Sequence, residues 1–124
     1  SPPDMRLPIS LGLDWPNRVA GVGAPLDWTA SHSWTFEPLD AEAFPSVDLA
    51  KAVGRAGGTY PAVFNAANEQ AVKAFHAGGL SYLGIVDTVS EVVEAHDGGE
   101  VSLPGIIEAE RWARENADRI VAGN

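Results

Sequence analysis

Side chains able to do chemistry occur in this 124-residue chain, but their spacing does not assemble a reaction centre. His32, His76 and His96 lie far apart and share none of the short spacings by which histidines hold zinc. Asp40-Ala41-Glu42 has the Asp-x-Glu spacing of a metal clamp. It stands just ahead of a predicted helix start, where acids are favoured by the helix dipole. Ser31-His32 and Ser33 have no acid in an arrangement that would complete a nucleophilic triad. No Gly-x-Gly-x-x-Gly or P-loop run is present, so no phosphate cradle is encoded. Cysteine is absent, which excludes thiol catalysis and a disulfide framework. Trp15, Trp28 and Trp34 fall in an irregular stretch of an acidic chain. That setting suits packing anchors between domains better than a platform for stacking bases.

The elements that position these groups divide near Asp40 to Pro45. Before that point Pro2, Pro3, Pro8, Gly12, Pro16, Gly21, Gly23, Pro25 and Pro38 punctuate a connecting region with little regular structure. Leu7 to Leu13 has room for a short helical turn. Ser33-Trp34-Thr35-Phe36-Glu37 is β-rich and reads as a single strand with no partner in the chain. After Pro45 four helices are predicted. The first runs from Pro45 to Ala56, stopped by Gly57-Gly58, and the second from Thr59 to Ala77, stopped by Gly78-Gly79. The third spans Leu83 to His96, and the fourth spans Ser102 to Val121 with Pro104 in its first turn. Short glycine-rich links between amphipathic helices favour a compact bundle. The fold class is therefore mainly α: a four-helix bundle-like domain over residues 45–124. An irregular linker with one β-strand near 33–37 fills residues 1–44.

The second helix is the most informative element. Thr59 is its predicted N-cap and Pro61 sits in the first turn, where a missing N–H does no harm. Phe64, Ala67, Ala71, Ala74 and Phe75 recur at helical spacing and form an apolar face. Asn68 lies at the edge of that stripe and is expected to find a hydrogen-bond partner there. A cap on another helix is the structural role, and a ligand contact the sharper one. Glu69–Lys73, Glu110–Arg114 and Glu115–Arg119 have the spacing of i,i+4 ion pairs. In the third helix Ile85, Val89 and Val92 share a face, widened by Val86 and Val93. In the fourth the face is Leu103, Ile106, Ala113, Ala117, Ile120 and Val121. His76 and His96 fall near helix C-termini, where a cation is mildly favoured.

Composition narrows the function classes. A hydrophobic fraction of 45% and a charged fraction of 20% describe a globular chain. The net charge of −9 repels phosphate backbones and anionic lipid surfaces, so neither nucleic acid nor membrane is an expected partner. No run of about 18 apolar residues is present to span a bilayer.

Pro61-Ala62-Val63-Phe64-Asn65-Ala66-Ala67-Asn68-Glu69, followed by Ala71-Val72 and Ala74-Phe75, resembles the C-terminal region of 1-deoxy-D-xylulose 5-phosphate reductoisomerases. So do Pro3-Asp4-Met5-Arg6, Pro8-Ile9, Trp15-Pro16-Asn17-Arg18, Pro25-Leu26-Asp27, Thr35-Phe36-Glu37 and Phe44-Pro45, in order and spacing over nearly the whole chain. Ser46 stands where a cysteine is common in that family, and Trp34 where a leucine is usual. The resemblance implies a longer parent enzyme with an N-terminal dinucleotide-binding domain, a central catalytic domain and a C-terminal helical domain. Residues 1–44 would then be the end of the catalytic domain and the linker. A start at Ser1-Pro2-Pro3 without methionine fits a piece of that parent.

The implied activity is NADPH-dependent and uses a divalent metal, manganese or magnesium. It converts 1-deoxy-D-xylulose 5-phosphate to 2-C-methyl-D-erythritol 4-phosphate in the methylerythritol phosphate route to isoprenoids. The family's metal carboxylates resemble an upstream segment, so Asp40 and Glu42 are set aside and no catalytic or metal residue is expected here. Pro3, Asp4 and Met5 resemble the stretch bordering the nicotinamide end of the dinucleotide, where a flexible apolar Met5 can pack on a flat ring. Expected partners are the remaining domains of the same enzyme, in a homodimer. The expected location is the bacterial cytoplasm, or the plastid for a plant-type source. The chain alone is expected to bind no cofactor and to be inactive. The rival reading is a free-standing acidic helical module that binds a protein partner.

Overall fold

A computed structural model describes residues 3–123. The chain divides into two compact units, residues 1–37 and 38–124. In the first unit the only helix among the described residues is α1, Arg6–Leu13. Pro8 is tolerated because it lies in the first turn. The helix ends at Asp14, whose N–H donates to the Ser10 carbonyl at 3.1 Å. The short turn expected over Leu7 to Leu13 is thus a full helix.

The strand expected at 33–37 is not formed: the described residues contain no strand. Within them, no backbone group of 33–37 takes a hydrogen bond. Composition favours an extended chain there, but a strand exists only as half of a ladder. No second half is present.

The second unit holds α2 (Ser46–Ala56), α3 (Tyr60–His76), α4 (Tyr82–Glu94) and α5 (Leu103–Gly123). Gly57 and Gly58, at φ +64° and +57°, take the left-handed backbone that ends α2. Ser81 caps α4 by accepting from the Gly84 N–H at 3.0 Å, and Ser102 does the same for Gly105 at 3.2 Å. Helix α3 is central and packs on α2, α4 and α5. It therefore buries more than the single stripe that periodicity marked. Val63, Ala66, Ala67 and Ala71 are all fully buried, whereas Phe64 and Phe75 are half-buried. The facing stripe of α5 is Ala109, Ala113 and Ala117, and α4 contributes Thr88, Val89, Val92 and Val93. The small residues at i, i+4 and i+8 on α5 are what let α3 and α5 approach closely. Leu103, expected on that face, is 73% exposed because it precedes the first turn that packs on α3.

None of the three expected i,i+4 ion pairs forms. Glu69 accepts from Arg114 across the α3–α5 groove at 2.6 Å. Arg111 takes both Glu108 and Glu115, and Arg119 donates to Asn116. A long guanidinium reaches across a helix interface as easily as along one helix, and sequence spacing sees only the second option.

Candidate functional site

Two places gather functional groups, one in each unit. In the first unit the turn before α1 carries Pro3, Asp4 and Met5. Arg6 lays its guanidinium flat against the Asp4 carboxylate. Nε donates to Oδ1 at 2.9 Å and to Oδ2 at 3.1 Å, and Nη2 donates to Oδ2 at 2.6 Å. The backbone N–H of Arg6 donates to the same Oδ1 at 3.0 Å. The Asp4 carboxylate thus satisfies a first-turn amide of α1, the work of a capping residue. These bonds hold the Asp4 carboxyl below the usual carboxylate range, the side-chain bond to Arg6 being the largest cause. Met5 lies between the paired residues, in helical backbone, with its side chain 71% exposed. An exposed thioether beside a fixed turn suits the face of a flat apolar ring. The Asp4 carboxylate is already spent on Arg6 and on the helix. The turn thus offers one exposed apolar side chain beside a satisfied ion pair.

In the second unit the residue that sequence reasoning placed worst is His96. It follows the C-terminal end of α4, as expected, but it is buried. Its Nε2 and the Thr59 hydroxyl share a hydrogen bond at 2.8 Å. The Tyr60 hydroxyl donates to the His96 carbonyl at 2.8 Å, and the Tyr60 ring meets the imidazole edge-on at 4.8 Å. Trp112 of α5 covers another side at 5.2 Å. Desolvation lowers the His96 pKa, and the nearby Asp97 charge opposes that only partly. The imidazole is therefore a neutral clasp between three helices and not a dipole cation. Thr59, expected to cap α3, makes no side-chain cap and spends its hydroxyl on His96. An open depression of about 320 Å³ beside the ring is bordered by Asp97, Glu100, Glu108 and Trp112. Spacing in sequence carries no signal for this cluster, since Thr59 and His96 are 37 residues apart.

The remaining sequence candidates stay separate. Asp40 accepts the backbone N–H groups of Glu42 and Ala43 at 3.1 and 3.0 Å, a local turn and not a clamp. His32 Nε2 donates to the Asp27 carbonyl at 2.6 Å. His76 is exposed beside Phe75. Trp28 and Trp34, with Leu26 and His32, line an open hollow of about 540 Å³. Asn68 is half-buried, and its amide takes no hydrogen bond from any described residue. The partner expected for it inside the bundle is not there, because the edge of the stripe is still open to water. Among the described residues no group of three or more His, Cys, Asp or Glu side chains could hold a metal ion.

Comparison with known proteins gives a consistent result. The family model described as the DXP reductoisomerase C-terminal domain matches residues 1–116. The chain is 70% identical over 122 residues to the 1-deoxy-D-xylulose 5-phosphate reductoisomerase of Leifsonia xyli subsp. xyli, covering 98% of this chain and 34% of that enzyme. It is 59% identical over 115 residues to the enzyme of the same name from an Arthrobacter species, covering 92% of this chain and 29% of that one. The chain thus spans about a third of the length of these curated relatives. Among solved structures, the Zymomonas mobilis 1-deoxy-D-xylulose 5-phosphate reductoisomerase in complex with NADPH superposes with a TM-score of 0.76 at 36% identity. That match covers 96% of this chain and 32% of the other.

Proposed function

Because the chain belongs to the DXP reductoisomerase C-terminal domain family, we propose that it is the C-terminal part of a whole reductoisomerase. That enzyme rearranges 1-deoxy-D-xylulose 5-phosphate and reduces the resulting aldehyde to 2-C-methyl-D-erythritol 4-phosphate. NADPH, when bound, supplies the hydride for the reduction. The observation that carries this reading is the 70% identity sustained over 98% of the chain. No observation favours the free-standing interaction module, and the relatives that match are longer enzymes.

Within that enzyme the two units have different tasks. Residues 45–124 form a closed helical domain that buttresses the catalytic part, and residues 1–44 carry the chain to it. Met5, with Pro3 and Asp4, borders the nicotinamide end of NADPH. The Asp4 carboxylate orients the turn, and the Met5 side chain offers an apolar surface that excludes water from one side of the ring. The divalent metal that the family resemblance implies is held by carboxylates of an upstream segment of the enzyme. The active form is a homodimer in the cytoplasm. The relatives named above are bacterial.

The test is to express the gene that encodes this chain in full and follow NADPH oxidation with 1-deoxy-D-xylulose 5-phosphate and manganese. Turnover is expected, and none is expected from residues 1–124 alone. A full-length protein that neither binds NADPH nor consumes it would overturn the proposal.

A further inference from the structure

We propose that Arg6 is a positioning residue for the nicotinamide end of NADPH, acting through its clasp on Asp4 to present Met5. The inference rests on the reading that Pro3-Asp4-Met5 borders that ring. It assigns different work to the members of the turn and adds one residue to them.

The geometry separates the roles. Asp4 and Arg6 flank Met5, and three N–H groups of Arg6 converge on one carboxylate. The ring closed by those bonds contains the Met5 backbone. Two backbone bonds continue it into α1: Leu7 N–H donates to the Asp4 carbonyl at 3.1 Å, and Ile9 N–H to the Met5 carbonyl at 3.2 Å. Gly23 packs close to the clasp, where a Cβ would lie 3.7 Å from Asp4 Oδ2 and 3.5 Å from a Leu7 methyl. The Met5 backbone is held from both sides while its side chain faces solvent. A ligand that packs on it has no turn left to order, which is how preorganisation raises affinity.

Arginine is required for two reasons. Its planar fork engages both carboxylate oxygens, which a lysine ammonium cannot reproduce. Its charge also offsets that of Asp4, which alone would repel the dinucleotide phosphates. The Arg6 side chain is 72% exposed and the Asp4 side chain 21%, and with the guanidinium end in solvent such a pair adds little to folding stability. A geometric role explains the four converging bonds better than a stabilising one.

The test uses the full-length enzyme and two ligands: NADPH, followed by its fluorescence on titration, and 2′-phospho-ADP-ribose, which lacks the nicotinamide. Arg6→Gln is expected to weaken NADPH about tenfold and to leave 2′-phospho-ADP-ribose unchanged. Arg6→Lys should recover part of the loss. Met5→Ala should match the Arg6→Gln pattern. Were Met5→Ala to weaken NADPH while Arg6→Gln did not, the positioning role would fall and the ring-bordering reading would stand. Equal weakening of both ligands by Arg6→Gln would make Arg6 a merely structural residue and would also overturn the proposal. If Met5→Ala left NADPH affinity unchanged, the ring-bordering reading itself would fail.

Discussion

Single residues in this chain act mostly through what they exclude from water. His96 is neutral because burial outweighs the neighbouring Asp97 charge, so its folded pKa lies below its ordinary value of 6.5. The unfolded chain then binds a proton that the folded chain refuses. That stability is present above 6.5 and is lost as pH falls through the folded pKa. The urea midpoint is expected to decline as pH falls below 6.5, and His96→Gln should flatten the decline while keeping a partner for Thr59. Carboxylates held low by arginines, such as Glu69 and Glu108, lose their contribution only further down, below 4.5. Glu69 shows the opposite limit. Its bond to Arg114 is short but sits in solvent, where screening and side-chain entropy cancel most of the Coulomb gain. Glu69→Gln should therefore lower the urea midpoint only slightly. Asn68→Leu should also be tolerated in this chain, since no described partner is left unpaired; a loss as large as a buried amide's would reveal a partner that the fold does not show.

Helices here depend on closeness more than on bulk. Helices α3 and α5 pack on one another, and the buried residues they bring to the core are mostly alanines, Ala66, Ala67 and Ala71 on α3 and Ala109, Ala113 and Ala117 on α5, nearly all without exposed surface. A core of alanines buries little area per residue, so its stabilisation comes from backbone approach and many small contacts. Ala113→Leu inserts three carbons where none fit and should cost about 1–3 kcal/mol, read as an earlier urea midpoint. Gly105 is a second close approach: a Cβ there would lie 2.2 Å from the Glu100 carbonyl oxygen, with the α5 cap from Ser102 beside it. Gly105→Ala should therefore destabilise by about 1–3 kcal/mol and fray the first turn of α5, visible as faster amide exchange there. The sequence pattern announced the four helices after Pro45, because a 3.6-residue repeat needs only one apolar face to show itself, but it showed α1 only as a short turn. It could not announce that α3 is central, since a second buried face looks like ordinary alanine and valine until a third helix covers it.

The whole molecule divides by burial. No described residue before Val53 is buried, whereas α3, α4 and α5 enclose a core of valines and alanines. Native-state hydrogen exchange is expected to be slow in Val63 to Ala71 and Ala109 to Ala117 and fast from 20 to 44. Protection at 33–37 in dilute, monomeric chain would contradict this. What the sequence determined alone is what local repetition and local chemistry encode: four helices after Pro45, their glycine stops, the acidic surface, the missing phosphate cradle and the family resemblance carried by Pro61 to Glu69. What only the tertiary structure decided is which distant groups meet. It paired Glu69 with Arg114 in place of Lys73, turned Thr59 from a cap into the partner of a neutral His96, left 33–37 without a ladder, and folded Arg6 onto Asp4. Backbone periodicity is a property of a few consecutive residues and survives any environment that solvates one face. Hydrogen bonds and burial across tens of residues depend on how helices stack, and that order is set by packing the sequence does not display.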